Sequence, residues 1–196
     1  MSFFFRALYE KIVFLEQKNR EQEIIITNMS DRISANSTVM SSLPLRYCNG
    51  NYVWYLTDFK NKLNTMKNNQ HVMYYSPGFY TSCNGYRLCL RFNLSPNDSN
   101  YVALLVHMMR SKHDNTLDWP FSGKLVLTIV HPLQSFRNIK ETIMTKPDLG
   151  AFQRPTEEMN PKGYGYKEFA LLEDLLANNF VDDSNQLIIK VTVQPV

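Results

Sequence analysis

The hydrophobic rhythm of the chain changes once. Over residues 3–36 apolar positions recur by sevens. With Phe5 as position a, the a series is Phe5, Ile12, Asn19, Ile26 and Ile33, and the d series is Leu8, Leu15, Gln22, Met29 and Asn36. Charges crowd between them (Glu10, Lys11, Glu16, Lys18, Arg20, Glu21, Glu23), and neither Gly nor Pro interrupts. A stripe that narrow is marginal as a lone helix, so it is predicted to pair with copies of itself. Asn19 and Gln22 in the seam cost stability but can fix register. The oligomerisation set is Phe5, Leu8, Ile12, Leu15, Asn19, Ile26, Met29 and Ile33, on a stalk of roughly 45 Å. The alternative is one amphipathic helix packed on its own domain.

A polar stretch follows at Ser34–Pro44 and reads as a hinge, giving a linker over 37–46. From there the period is two. Tyr86, Leu88, Leu90, Phe92 and Leu94 share one face, with Arg87, Cys89, Arg91 and Asn93 on the other. That is a half-buried strand holding two arginines outward, entered through the turn dipeptide Asn84-Gly85, whose residues tolerate positive φ. Further strands are predicted over Tyr52–Phe59, His71–Tyr75, Tyr101–Arg110, Lys124–His131, Gly165–Leu171 and Gln186–Gln194. Short helices are expected near Ile139–Met144 and at Leu171–Asn178, where Glu173 and Asp174 favour a helix start. Many strands with turns between them point to an all-β, antiparallel sandwich over 47–196.

Composition narrows the function. A net charge of +3, without a Lys/Arg block, argues against nucleic acid, and no run of 18 apolar residues spans a membrane. Cys48, Cys83 and Cys89 are odd in number and lack metal spacing, which points to a reducing cytosol without disulfides, metal or cofactor. The Asn-x-Ser/Thr matches at Asn28, Asn36, Asn93 and Asn97 then read as chance. No catalytic constellation appears. Gly163-Tyr164-Gly165 lacks the third glycine of a dinucleotide loop, and His71, His107, His113 and His131 stand singly. Two stretches look built for recognition. Arg91 with the outward residues of Tyr101–Arg110 (Tyr101, Ala103, Leu105, His107) could form an apolar groove beside a cation. Asn160–Tyr166 offers close backbone approach and aromatic surface. For each, packing against other elements is an equal alternative.

Asn49-Gly50-x-Tyr-x-Trp54, Ser76–Thr81, Gly85–Arg91, Trp119–Phe121, Ala151–Pro155 and Asn160–Tyr166 together resemble the C-terminal MATH domain of the TRAF adaptors, over 47–196 with no large gap. Within the family the similarity is greatest to the sixth-numbered type, which acts below Toll, interleukin-1 and CD40-type receptors. The resemblance implies an eight-stranded antiparallel sandwich after the end of a coiled coil. It implies a cytoplasmic adaptor, recruited to receptor complexes, that signals to NF-κB and kinase cascades. Partners would be receptor, adaptor or kinase tails with Pro-x-Glu-x-x-aromatic/acidic, bound by strand addition. Arg91 would meet the terminal side chain. Lys162 and the N–H groups of Gly150 and Ala151 would hold the glutamate. Tyr164, Tyr166 and Met144 would wall a proline pocket, Met73 and Leu105 would line the groove, and Pro161 and Gly163 would shape the loop. Leu149 and Gly165 complete the set. Tyr164 and Leu105 stand where the type has Phe, and Gly150 where it has Leu. Family members form trimers, whereas Ile at a with Leu at d leans toward dimers. Full-length members carry zinc-binding RING and finger domains with ubiquitin-ligase activity, which three cysteines cannot build. The chain would be a fragment or a short form able to compete with the full-length adaptor. A hydrolase accessory and a pure assembly module are the remaining alternatives.

Overall fold

A computed structural model describes residues 49–196, together with 11–12, 15–19, 22 and 26. The chain divides into two compact units, Met1–Pro44 and Leu45–Val196. In the first, the described residues are helical and exposed, Ile12, Leu15, Asn19 and Ile26 of the seam among them. Phe5, Leu8, Met29, Ile33 and the linker at 37–46 lie outside the described residues.

The second unit is two antiparallel sheets face to face. One has the order β1-β9-β6-β7, built from Asn51–Leu56, Leu187–Pro195, Gly123–Val130 and Ile139–Met144. The other runs β2-β4-β5-β8 through Tyr74–Tyr75, Arg87–Leu94, Tyr101–Met109 and Tyr164–Leu171, and β3 (Phe79–Tyr80) also pairs with β4. Strands β2 and β3 both run antiparallel to β4, either side of Ser76-Pro77-Gly78. They are two pieces of one broken edge strand, so nine assigned strands make an eight-stranded sandwich. Between the sheets sits one apolar core, with Phe79, Leu88, Leu90, Phe92, Leu104, Phe121, Leu125, Leu127, Ile189 and Val191 fully buried. All but Phe121, which precedes β6, are the inward halves of period-two strands, as the pleat requires.

Three local expectations change. Strand β1 stops at Leu56, and Phe59–Asn68 forms helix α1, which the sequence reading missed. Phe59, Leu63 and Met66, spaced i, i+4 and i+7, fall on one face and are buried under the sheet, so burial drives the helix rather than its polar remainder. Ile139–Met144 is strand β7, not a helix. Ile139 and Ile143 suit either period, and six backbone pairs with β6 decide for the strand. The reversal before β4 falls where expected, closed by Gly85 N–H to Ser82, but neither Asn84 nor Gly85 takes positive φ. Helix α2 (Leu172–Ala177) matches its expected place, with Glu173 and Asp174 in the first turn.

Strand β4 carries the core on one face, so truncating it should unfold the sandwich cooperatively. Leu90→Ala is expected to lose about 2–5 kcal/mol of stability in urea titration, with an unchanged m-value.

Candidate peptide-binding edge

The register across the second sheet sets out the outward face in rows. Tyr75, Arg91, Leu105 and Gly165 lie side by side on β2, β4, β5 and β8. Next to that row lie Cys89 and His107. With strands about 4.8 Å apart, Gly165 and Arg91 are roughly 10 Å apart across the face.

This face is more closed than the alternation alone suggested. Ala103, Leu105 and His107 are all buried, Leu105 at 4% exposure and His107 at 1%. Cys89 is buried with its Sγ 3.4 Å from Met159 Sδ, and burial pushes its thiol up to about 11. Of the two readings of this strip, an open groove or a face packed under other elements, the second is the one found. Nor do both arginines reach out free. Arg87 donates to Glu158 Oε1 at 2.8 Å and to the Arg110 carbonyl at 3.1 Å. Arg91 differs: it is half-buried, and its Nε has no partner among the described residues. A guanidinium short of acceptors in a partly desolvated place is poised for an anionic or aromatic guest. Beside it Tyr75 is exposed, its hydroxyl 3.6 Å from the sulfur of exposed Met73.

Strand β8 ends the sheet and has no strand on its far side among the described residues. Its approach is a loop pinned at both ends. Met159 faces Met109, while three residues earlier on β5 Val106 faces Tyr164, five residues later on the other strand. Two extra residues are therefore looped out, which places exposed Pro161 and Lys162 at the tip. Asn160, buried at the base, is the positioning residue that sequence reading missed. Its N–H donates to the Met108 carbonyl (2.9 Å), and its carbonyl accepts His107 Nδ1–H (2.9 Å). Its amide nitrogen reaches the carbonyls of Gln153 (2.8 Å), Gly150 and Ala151 (both 3.3 Å). Two amide hydrogens shared among three carbonyls tie the turn Gly150–Phe152 to the loop.

Gly163 and Gly165 are required by contact. A Cβ on Gly163 would sit 2.3 Å from His107 Nε2, and one on Gly165 would sit 2.3 Å from the Leu104 carbonyl. The tyrosines between and beyond them face the other way. Tyr164 and Tyr166 pair with Val106 and Leu104, core-facing residues of β5, and are half-buried at the open edge between the sheets. Tyr164 packs on Phe152 (ring centroids 5.3 Å apart), and the Tyr166 hydroxyl donates to the Thr142 carbonyl of β7 at 2.8 Å. Met144, at the end of β7, is 58% exposed. Leu149 is half-buried, Gly150 exposed with open space around it, and Ala151 buried. Arg91 and the tyrosine notch are thus on opposite faces of one sheet, Arg91 two strands in from the β8 edge, not on a common floor. A ligand reaches both only by lying along β8. Two concavities lie elsewhere: one of ≈ 820 Å³ at Tyr101, Leu171 and Leu176, and one of ≈ 670 Å³ at Arg110, Asp114 and Arg154.

The sequence profile of the TRAF/meprin MATH domain matches residues 71–190. TNF receptor-associated factor 6 of Homo sapiens is 35% identical over 180 residues, covering 89% of this chain and 34% of that protein. The Danio rerio protein of the same name is 35% identical over 181 residues, covering 90% and 33%. In Xenopus laevis, TNF receptor-associated factor 6-B is 37% identical over 148 residues, covering 72% and 27%. The chain spans about a third of the length of these curated relatives. In three dimensions it superposes on TRAF5 of Notothenia coriiceps with a TM-score of 0.73 at 22% identity, over 97% of this chain and 95% of that one.

His107 gives the edge a pH dependence. Burial lowers its pKa below the ordinary 6.5, helped by Arg91 and opposed by the bond to Asn160. Because that carbonyl can only accept, Nδ1 carries the hydrogen and Nε2 is a bare, buried acceptor. The neutral form is the native one, so its stabilisation is whole above the unfolded pKa and is lost as pH falls below it. In urea titrations between about pH 7 and pH 5, the parent should lose stability more steeply than His107→Gln, by up to about 1.4 kcal/mol per pH unit.

Proposed function

The chain belongs to the TRAF/meprin family of MATH domains, and on that premise we propose that it is the peptide-reading head of a signalling adaptor. Its ligands are extended receptor or adaptor tails carrying Pro-x-Glu-x-x-aromatic/acidic, and they pair with the free edge of β8. One observation carries this: the sheet that ends at the free β8 edge carries Arg91 on its outer face, two strands in and with its Nε unpartnered among the described residues, and a tyrosine-walled notch on the other face at that edge.

The spacing of the motif suits that geometry. In an added strand, successive side chains alternate between faces. Proline and glutamate are two apart, so both point into the notch. The terminal residue is five from the proline and points to the opposite face, the one that carries Leu105 and Arg91. In the notch, Tyr164, Tyr166 and Met144 flank the proline. Lys162, exposed on its loop, and the leading N–H groups of the turn Gly150–Phe152, which lack partners inside that turn, receive the glutamate. Met73 and Tyr75 border the terminal subsite. Leu105, smaller than an aromatic ring, leaves that subsite resting chiefly on Arg91.

In its cellular setting such a head belongs in the cytoplasm, drawn to Toll, interleukin-1 or tumour-necrosis-factor-type receptor complexes. We assign the heptad of residues 3–36 to self-association, as a trimer with a dimer as alternative. Multivalent display then multiplies weak heads by about 10²–10⁴.

Two experiments test this. Titrating a labelled Pro-x-Glu-x-x-Tyr peptide, Arg91→Ala and Tyr166→Ala should each lose at least about 1–2 kcal/mol of binding with folding intact, and Glu→Ala in the peptide should do the same. Parental affinity in both variants would show the edge to be the wrong surface. By light scattering at micromolar concentration, the whole chain should be a trimer or dimer and a chain starting near Ser41 a monomer. A monomeric whole chain would remove the stalk.

A further inference from the structure

We propose that Glu141 sets the charge of the ligand upstream of its proline, selecting a lysine or arginine two residues before it. The inference rests on the β8 edge being the peptide site and adds a subsite to it.

Glu141 lies on β7, the last strand of the other sheet, and faces Leu127 in register. That puts it in phase with Ile139 and Ile143, on the side turned toward the space between the sheets. An inward-phase carboxylate would be costly within a sheet, but β7 is an edge strand and Glu141 is exposed. The carbonyl next to it, on Thr142, accepts the Tyr166 hydroxyl at 2.8 Å. Glu141 is thereby fixed at the wall of the notch, beside Tyr166. The phenol feels it: its pKa is raised, first by desolvation and then by the charge and hydrogen bonding of Glu141. Among the described residues no cation pairs with Glu141. Glu168 is engaged by Asn97 at 3.4 Å.

The order of subsites along the edge then follows. Tyr164 is beside Phe152, at the end where the turn Gly150–Phe152 and Lys162 receive the ligand glutamate. Tyr166 is beside Thr142 and Glu141. From the ligand glutamate back to the proline is one same-face step, and the next same-face step, two residues before the proline, arrives at Glu141. Residues at odd distances point away. The site therefore reads a dipolar peptide, cationic before its proline and anionic after it. Lys162 and Arg91 attract the second half and Glu141 the first.

The test uses the whole chain and three labelled peptides that share Pro-x-Glu-x-x-Tyr. They carry Lys, Ala or Glu two residues before the proline. Affinity should fall in the order Lys, Ala, Glu, with Lys about threefold to tenfold tighter than Glu near 0.1 M salt and the gap narrowing at about 0.5 M. Glu141→Gln should erase the difference, and Glu141→Lys should invert it. Moving the lysine to three residues before the proline should lose the preference. If all three peptides bind equally well to the parent, the Glu141 subsite is overturned while the peptide edge stands. If none binds, both fall.

Discussion

The edge depends on one buried amide. Asn160 has only two amide hydrogens, and it spends them on the carbonyls of a turn ten residues away in sequence while its backbone is locked to Met108 and His107 of β5. Without that fastening, the two looped-out residues would be a flexible tip. Lys162 would pay the entropy of ordering on each binding event. With it, the lysine, the turn and the first tyrosine of β8 hold fixed relative positions before any ligand arrives. A leucine at that position would leave those carbonyls without the amide, that of Ala151 in a buried place, and a buried polar group without a partner costs more than a typical hydrogen bond contributes.

A free sheet edge able to take a foreign strand is also able to take a copy of itself. The chain limits that risk locally. Lys167 and Glu168 place opposite charges on the exposed part of β8, and the pairing with β5 shifts register between Val102 and Leu104, which bends the strand. Only the stretch from the loop to Tyr166 remains flat and receptive. There Gly163 and Gly165 serve packing, not φ freedom. They let His107 and the β5 backbone come so close that the outward face stays shallow beneath a bound side chain. The tyrosine hydroxyl on Thr142 does the opposite work, bracing β8 against the other sheet so that the notch has a rigid wall.

Most of the sandwich was legible from alternation, because strands with one buried face must show period two. Where the pattern misled, burial geometry explains it. Ile139 and Ile143 fit both periods, and only pairing with Leu125–Ile129 decides between them. Phe59, Leu63 and Met66 carried a helical signal that was overlooked beside a strong strand. The outward face of β4 and β5 read equally as a groove or as a packed face, because a sequence does not show what folds back over it. Met159 over Cys89 and Gly163 against His107 come from a segment more than fifty residues away. Arg91 and the tyrosines could be named from resemblance, but their opposite orientations follow from register, which a single sequence does not display. Asn160 had no signature beyond its place in the motif, since its partners are backbone carbonyls that any residue type supplies.

That opposition of faces bears on how tightly one head can bind. A peptide along a single edge gains main-chain bonds on one side only, and each such bond nets about 0.5–1.5 kcal/mol after water is displaced. The notch is half-open, Met144 is largely in solvent, and Leu105 is already buried by the domain itself, so little fresh apolar area is covered at the terminal subsite. In the proposed complex, charge complementarity at Arg91, Lys162 and Glu141 would add selectivity more than strength, because exposed pairs are screened. Against these gains stands the ordering of a flexible tail. On the proposed reading, an isolated head of this build would discriminate well and hold loosely, and self-association through the heptad would be the physical remedy. Clustering then converts a tail that is merely correct in sequence into one that is retained, and only where tails are themselves gathered together.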